Sequence, residues 1–225
     1  MSRSSVYQEL ESKMLRYADL VGVPVSECGE PMRRVKKEKT LLARQIDERM
    51  LKVTGKEIYV RESVAGMLKQ AAAKLQMLDK NFSLEVVYGY RSLAIQTALF
   101  NKFKSRFSRQ CSGMNLLEAV HRCIAVPSVS GHPTGGAVDV QILKKGKVLN
   151  FGTKIWEFTP DSYTFSPFVS KAAQANRLLL REIMLNTGFA PFDGEWWHYS
   201  YGDREWAKYY SKNTAIYSQV RFWSK

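Results

Sequence analysis

Apolar positions in the first half of the chain recur at helical spacing. This periodicity predicts helices over residues 5–20, 36–52 and 63–78, with charged residues on their solvent faces. The third helix is the clearest of them because its apolar residues share one stripe: Val64, Met67, Leu68, Ala71, Leu75 and Leu78. The pattern therefore predicts a first half that is mainly helical.

Runs of β-branched and aromatic residues interrupt these helices. They predict a short strand over residues 56–62 and a longer one over residues 83–91. Ser92 then follows as the candidate N-cap of a helix, which places Arg91 where a strand gives way to a helix. Such connections often carry site residues. A further helix is predicted over residues 114–124.

The stretch "AVDVQIL", residues 137–143, alternates between apolar and polar side chains and predicts a strand. Its apolar face consists of Val138, Val140 and Ile142. Asp139 and Gln141 point the other way, and we expect that face to be open. The segment "GKVLNFG" is the expected hairpin partner across Lys145 and Gly146.

Residues 151–170 contain two prolines and no clear period, which is typical of a binding loop or a lid. Residues 171–188 predict a helix that ends at Gly188, and the aromatic run after Asp193 and Gly194 predicts a strand. Helices come first and strands able to pair in antiparallel fashion come later. This order predicts an α+β fold with a small antiparallel sheet flanked by helices.

Composition narrows the class of protein. The chain has 225 residues, of which 45% are hydrophobic, so it can build a real core. Three cysteines without CxxC spacing argue against a disulfide framework and against a cysteine zinc site. The N-terminus lacks the apolar region of a signal peptide, and no run of eighteen apolar residues occurs. We therefore expect a cytoplasmic protein without a membrane span.

The net charge of +13 suits an anionic partner: nucleic acid, anionic lipid or an anionic substrate. The basic run "RRVKKEK", residues 33–39, precedes apolar residues at helical spacing and is interpreted as a solvated helix face. The sequence contains no helix-turn-helix signature, RNP-like motif or Gly-rich basic repeat. Nucleic acid is therefore not the expected partner.

His132 and His198 stand in unusual sequence surroundings. His132 lies in a loop rich in glycine, seven residues before Asp139, and His198 follows Glu195 by three residues. Two histidines, one aspartate and a further glutamate match a catalytic zinc site with three ligands, an open position and an unligated general base. On a regular strand Glu195 and His198 would face opposite ways, so they converge only if the backbone bends at 193–194. The alternative is that both histidines are hydrogen-bonded structural residues.

Two motifs resemble the paired signature of the zinc D-alanyl-D-alanine dipeptidases and carboxypeptidases, the group that includes the vancomycin-resistance dipeptidases. They are Ser130-x-His132-x-x-Gly135-x-Ala137-x-Asp139 and Glu195-x-Trp197-His198. The stretches "VVYGYRS" and "NRLLLREIMLNTGF" are also similar to that group, and the likeness spans residues 58–203. The resemblance implies a DD-peptidase/Hedgehog-like catalytic domain over residues 57–225. Residues 1–56 are then expected to form a helical extension packed on it.

The resemblance also implies the chemistry of the site. One zinc ion per chain would be held by His132, Asp139 and His198, with Glu195 as general base and Arg91 as an electrostatic clamp on the oxyanion. Further residues are expected to contact the substrate: Ser130, Tyr90, Trp156 and Glu157. The implied reaction is hydrolysis of the D-alanyl-D-alanine dipeptide of peptidoglycan precursor metabolism.

One position departs from the family's pattern. Trp156 stands where the dipeptidases carry an acid suited to the free amino group of the substrate, and Glu157 follows it. Either the acid has moved by one residue or the enzyme accepts longer peptides. A D,D- or L,D-carboxypeptidase that removes terminal D-alanine from longer peptides is thus an alternative. An alternative of another class is a non-catalytic basic binding module. The oligomeric state is not predicted.

Overall fold

The computed structural model describes residues 2–222 and contains helices and strands in mixed order. The helices are α1 (Arg3–Ser12), α2 (Tyr17–Val21), α3 (Leu51–Thr54), α4 (Glu62–Leu78), α5 (Leu93–Phe107), α6 (Gly113–His121), α7 (Lys171–Leu185) and α8 (Arg204–Tyr209). The strands are β1 (Met32–Arg34), β2 (Leu41–Ala43), β3 (Tyr59–Arg61), β4 (Phe82–Tyr88), β5 (Ala137–Lys144), β6 (Lys147–Val148), β7 (Ala190–Pro191) and β8 (His198–Ser200). The predicted α+β class is confirmed.

The central sheet has the strand order β2-β4-β5-β8-β7, and β6 pairs with β5 beside this path. All its pairs are antiparallel except β2 with β4, which run parallel. β1 and β3 form a separate antiparallel pair. The sheet is therefore small and mainly antiparallel, and the predicted hairpin between β5 and β6 is confirmed.

The core lies on one face of this sheet. α4 and α7 pack there, and Val138, Val140 and Ile142 are fully buried in the same cluster as the apolar side chains of α4. Asp139 and Gln141 point to the opposite face, as the two-residue period predicts. That face is not open, however, because Asp139 is only 1% exposed. The end of α6 and the loop after β6 line the cavity above it.

The helix predicted over residues 36–52 is wrong. Residues 41–43 form β2 instead, and α3 begins only at Leu51. Leu41 and Ala43 are buried in the sheet, and the amide of Arg44 donates to the carbonyl of Val86. Burial against β4 therefore outweighs the local helical pattern. The helix predicted over residues 5–20 is divided into α1 and α2.

The other predicted helices are confirmed as α4, α5, α6 and α7. Ser92 caps α5, since its hydroxyl accepts a hydrogen bond from the amide of Ile95. The division of the chain at residue 56 stays a prediction, and the part before it contributes β1 and β2 as well as helices. Among residues 2–222, no helix has the length and apolar character needed to cross a membrane.

Candidate metal centre and active site

His132 begins a short 3-10 turn, His132–Thr134, that comes immediately before β5. Gly135 ends this turn with a φ of 74°, a left-handed conformation that glycine adopts without strain. The ring of His132 is oriented by its Nδ1 atom, which lies 2.8 Å from the carbonyl oxygen of Gly89. A proton on Nδ1 forms the hydrogen bond to that carbonyl, so the lone pair of Nε2 is left free to bind a metal.

Asp139 and His198 are brought together by strand pairing. They lie directly opposite each other in the register of β5 and β8. The Oδ1 atom of Asp139 is 3.2 Å from Nδ1 of His198 and 3.5 Å from Nε2 of His132. Its other oxygen, Oδ2, accepts a hydrogen bond of 2.8 Å from the indole Nε1 of Trp156. One carboxylate oxygen is thus held by the protein while the other faces the two histidines.

His198 has an acidic partner on its outer side. Its Nε2 atom lies 3.1 Å from Oε2 of Glu205, in the first turn of α8. Asp203 caps that helix by accepting from the amide of Trp206. The arrangement of a carboxylate, a histidine and a metal position is a common way to fix the tautomer of a ligand and to increase its basicity.

The three inward atoms fit a zinc ion. The donor atoms of His132, Asp139 and His198 all lie within 4.8 Å of one another. Ligand atoms that stand tetrahedrally around zinc at its usual bond lengths are about 3.3 Å apart, close to the two separations from Asp139 Oδ1. Two imidazole nitrogens and one carboxylate oxygen are ordinary zinc ligands. Each ligand also has a second atom held by the chain: by Gly89, Trp156 or Glu205.

The electrostatics of the cluster favour positive charge at its centre. Burial by itself would raise the pKa of Asp139, but the charges and hydrogen bonds of His132 and His198 hold it well below its usual range. Burial would likewise lower the pKa of His198, yet its bonds to Asp139 and Glu205 raise it well above normal. Burial and the charge of Arg91 lower the pKa of His132, which keeps that ring neutral. A neutral imidazole is the form that binds a metal.

Glu195 reaches this cluster because the chain turns before β8. Its amide donates to the carbonyl of Phe192, and its own carbonyl accepts from the amide of His198. The strand predicted for the aromatic run is therefore confined to His198–Ser200, and residues 193–197 form turns. Glu195 lines the same cavity as the three candidate ligands. Burial raises the pKa of its carboxyl group to about 8, so it takes up a proton far more readily than a surface glutamate.

Arg91 lies at the predicted junction between β4 and α5, and it is buried. Its Nε atom donates to the hydroxyl of Tyr88 and its Nη1 atom to the side-chain oxygen of Gln96. Its backbone amide donates to the carbonyl of His132. Within residues 2–222, Nη2 has no hydrogen-bond partner, and the side chain lines the cavity. Arg91 is thus fixed on one side and available on the other.

The cavity brings together most of the residues that the sequence singles out. Its volume is about 40 Å³, and the predicted residues on its wall are Arg91, Ser130, His132, Asp139, Trp156, Glu195 and His198. Tyr90 and Glu157 are not among them. The hydroxyl of Tyr90 donates to the carbonyl of Val220, and Glu157 accepts from the amide of Lys154.

Sequence reasoning missed Glu205 and the residues that hold Arg91. No spacing rule links Glu205 to His198, because one lies in a helix and the other in a strand. Tyr88 lies in the stretch "VVYGYRS" and Gln96 in the helix after it, but no motif gives either residue a role, although both are fully buried beside Arg91. His121 lines the cavity as well, and its Nδ1 atom accepts from the amide of Val126.

The chain is similar to known D-alanyl-D-alanine dipeptidases. A family model of the M15 peptidases, described as D-ala-D-ala dipeptidase, matches residues 39–216. A D-alanyl-D-alanine dipeptidase of Synechocystis is 27% identical in an alignment of 235 positions that covers 91% of this chain and 95% of that protein. A D-alanyl-D-alanine dipeptidase of Escherichia coli is 39% identical over 71 residues, which cover 31% of this chain and 37% of that protein.

Similar solved structures include the LdcB LD-carboxypeptidase and the D,D-pentapeptidase VanY in complex with Zn(II). The LdcB structure has a TM-score of 0.46 and 20% identity, and the match covers 84% of this chain and 80% of LdcB. The VanY structure has a TM-score of 0.42 and 16% identity, and the match covers 88% of this chain and 96% of VanY.

Proposed function

The chain belongs to the M15 family of D-ala-D-ala dipeptidases, and from this premise we propose that it hydrolyses the D-alanyl-D-alanine dipeptide at the His132–Asp139–His198 site. The family is one of zinc metallopeptidases, so the chain is an enzyme and zinc is its cofactor. Membership of this peptidase family does not support the alternative of a non-catalytic basic binding module. The observation that carries the proposal is the convergence of three zinc-ligand atoms on a cavity that also contains Glu195 and Arg91.

The proposed ligands are Nε2 of His132, Oδ1 of Asp139 and Nδ1 of His198. These atoms face one another, while the remaining polar atom of each side chain is engaged by the protein. Zinc, when bound, supplies a Lewis acid for the scissile carbonyl and lowers the pKa of water. Three protein ligands leave a fourth position open, as in catalytic rather than structural zinc sites.

Glu195 is the proposed general base. Its carboxylate lies on the cavity wall, and it is the one acid there without a hydrogen-bonded partner in the described chain. Asp139 is bonded to Trp156 and His198, and Glu205 is bonded to His198. Glu195 can therefore take a proton from the attacking water and deliver it to the nitrogen of the leaving amine.

Arg91 is the proposed stabiliser of the oxyanion that develops on the scissile carbonyl. The guanidinium is permanently charged, and Tyr88 and Gln96 fix its plane. The free Nη2 edge therefore needs no reorganisation when negative charge appears in the transition state. Ser130 is a further candidate for substrate contact, since it is buried on the cavity wall and its hydroxyl has no partner in residues 2–222.

The direct test is to measure bound metal and the release of D-alanine by the wild type and Glu195→Gln. We expect one zinc per chain in both proteins and a loss of turnover of about a hundredfold to ten-thousandfold in the variant, because the general base is removed. Glu182→Gln, on the exposed side of α7, is the matched control and retains turnover. Absence of zinc from the wild type, or normal turnover by Glu195→Gln, contradicts the proposal.

A second candidate is a carboxypeptidase that acts on longer peptides, and two observations favour it. Within residues 2–222, no acid on the cavity wall is left for a free amino group once Asp139, Glu195 and Glu205 have their proposed roles. A groove of about 620 Å³ also adjoins the cavity and shares Cys123, Phe158 and Glu195 with it. Comparing free D-alanyl-D-alanine with an N-acylated form as substrate separates the two. A higher kcat/KM for the acylated peptide selects the carboxypeptidase.

A further inference from the structure

Trp156 contacts a proposed zinc ligand rather than only facing the cavity. Its indole Nε1 donates to Oδ2 of Asp139 over 2.8 Å. In the part of the chain that the structure describes, this is the one hydrogen bond that Oδ2 accepts. Asp139 is 1% exposed, so water cannot readily replace the indole. Without this donor a buried carboxylate oxygen would be unsatisfied, which is costly.

The backbone at Trp156 is held in an unfavourable conformation. Its φ is 63°, in the left-handed region that large side chains rarely occupy. Such a conformation is unfavourable and persists only where surrounding contacts enforce it. The indole packs edge-on against Tyr88, with ring centroids 5.4 Å apart. Tyr88 packs in the same way against His132.

Hydrogen bonds from Arg177 to the loop between β6 and α7 also keep Trp156 in place. Arg177 donates to the carbonyls of Phe151 and Asp161, on the two sides of Trp156. The loop is thus closed at both ends, and the indole points from its middle onto Asp139. The indole bonds to Oδ2 of Asp139 and not to Oδ1. Oδ1 is therefore left to face His132 and His198.

We propose that Trp156 is a positioning residue that orients Asp139 as a zinc ligand. The inference rests on the proposed function, because it requires the His132–Asp139–His198 ligand set. The position at which family likeness predicts an acid for the substrate's amino group is then used to hold the metal site. Residues that hydrogen-bond to a metal ligand usually affect metal affinity by about tenfold to a hundredfold.

The test is the zinc affinity of Trp156→Phe, measured by competition with a chromophoric chelator. Phenylalanine retains an aromatic ring against Tyr88 but has no N–H group for Asp139. We expect the dissociation constant for zinc to rise about tenfold or more relative to the wild type. We also expect the visible absorption spectrum of the Co(II)-substituted protein to change, since the orientation of one ligand changes.

Trp196→Phe is the matched control. Trp196 is also an indole donor, but its Nε1 atom donates to the hydroxyl of Thr153 and not to a proposed ligand. The same substitution there removes a comparable hydrogen bond and ring. We expect its zinc affinity and its Co(II) spectrum to remain those of the wild type.

Trp156→Gly keeps the test decisive if Trp156→Phe does not fold. Glycine adopts the left-handed conformation without strain, so the loop can retain its path while the indole is lost. Zinc affinity must fall in this variant too. Wild-type zinc affinity in either Trp156 variant, or an equal loss in Trp196→Phe, overturns the inference. Absence of zinc binding by the wild type would instead contradict the proposed function, so the two failures are distinguishable.

Discussion

Two buried arginines, Arg177 and Arg91, make opposite use of the same side chain. Arg177 is fully buried and directs its guanidinium entirely to the protein. Its hydrogen bonds go to the carbonyls of Phe151, Asp161 and Tyr163 and to the hydroxyl of Thr153. Burial lowers its pKa to about 10, and the ring of acceptors compensates for the loss of water.

Arg91 is nearly as buried but is only half engaged. Tyr88 and Gln96 accept from two of its nitrogens, and Nη2 remains available at the cavity. The two arginines therefore differ in whether their hydrogen bonds leave a donor free at the cavity. Arg177 has a closed set of partners and holds a loop, whereas Arg91 is oriented by its partners and leaves one edge free at the cavity, as its proposed role requires.

Replacing Arg91 by Met should have the largest effect. We expect kcat to fall by about a hundredfold to a thousandfold, because a preorganised donor to the oxyanion is lost. The free energy of unfolding should fall by only about 1–2 kcal/mol, since two ordinary hydrogen bonds are removed. Steady-state kinetics and thermal unfolding check the two effects. Turnover near that of the wild type would remove Arg91 from the mechanism.

Replacing Arg177 by Met should reverse this balance. Three carbonyls lose their donor, so we expect the free energy of unfolding to fall by about 3 kcal/mol. Turnover per folded molecule should fall less than in Arg91→Met, because Arg177 acts on the loop and not on the substrate. Urea denaturation and activity at low temperature measure the two quantities. An unchanged unfolding midpoint would show that the network around Arg177 does not stabilise the fold.

A third buried arginine, Arg61, also bonds only to the protein, and the strength of its ion pair with Glu27 depends on pH. It binds both carboxylate oxygens of Glu27 at 3.0 Å and also donates to the carbonyl of Thr134, the last residue of the His132–Thr134 turn. Burial of Glu27 opposes ionisation, but hydrogen bonds from Ser218, Gly29 and Arg61 lower its pKa from 4.5 to about 2.

Because the folded pKa of Glu27 is the lower one, its ionised form stabilises the folded state. This contribution is complete above pH 4.5 and is lost as the pH falls through about 2. We expect Glu27→Gln to be less stable than the wild type at pH 7 by about 1 kcal/mol or less, since the pair is partly exposed. The difference should shrink between pH 5 and pH 2 in denaturation curves. A difference that does not vary with pH would contradict this assignment.

Much of the candidate site follows from residue types and their order. The residue types of His132, Asp139, Glu195 and His198 are compatible with a zinc site. The resemblance of their two motifs to the zinc D-alanyl-D-alanine peptidases is what predicts this ligand set before any contact is known. The structure brings these four residues and Arg91 to one cavity. The roles of the individual residues stay predictions until variants are measured.

Other features depend on contacts that no local pattern contains. β2 was predicted as part of a helix, since its residues lie at helical spacing and only the pairing with β4 makes it a strand. Trp156 was predicted to contact substrate, but its hydrogen bond to Asp139 depends on the path of a long loop. Glu205 meets His198 only because α8 folds back beside β8.

The sequence by itself determined the α+β class and the main helices, since periodicity is a local property, and its resemblance to the zinc D-alanyl-D-alanine peptidases implied the chemistry. Only the tertiary structure decided how those groups are oriented. A bulge in β4 between Val86 and Tyr88 shifts the register so that Tyr88 lies opposite Asp139. Tyr88 then contacts Arg91, His132 and Trp156 at once. These contacts of Tyr88 arise because segments distant in the sequence pair with each other. Burial and hydrogen bonding, rather than sequence spacing, stabilise them.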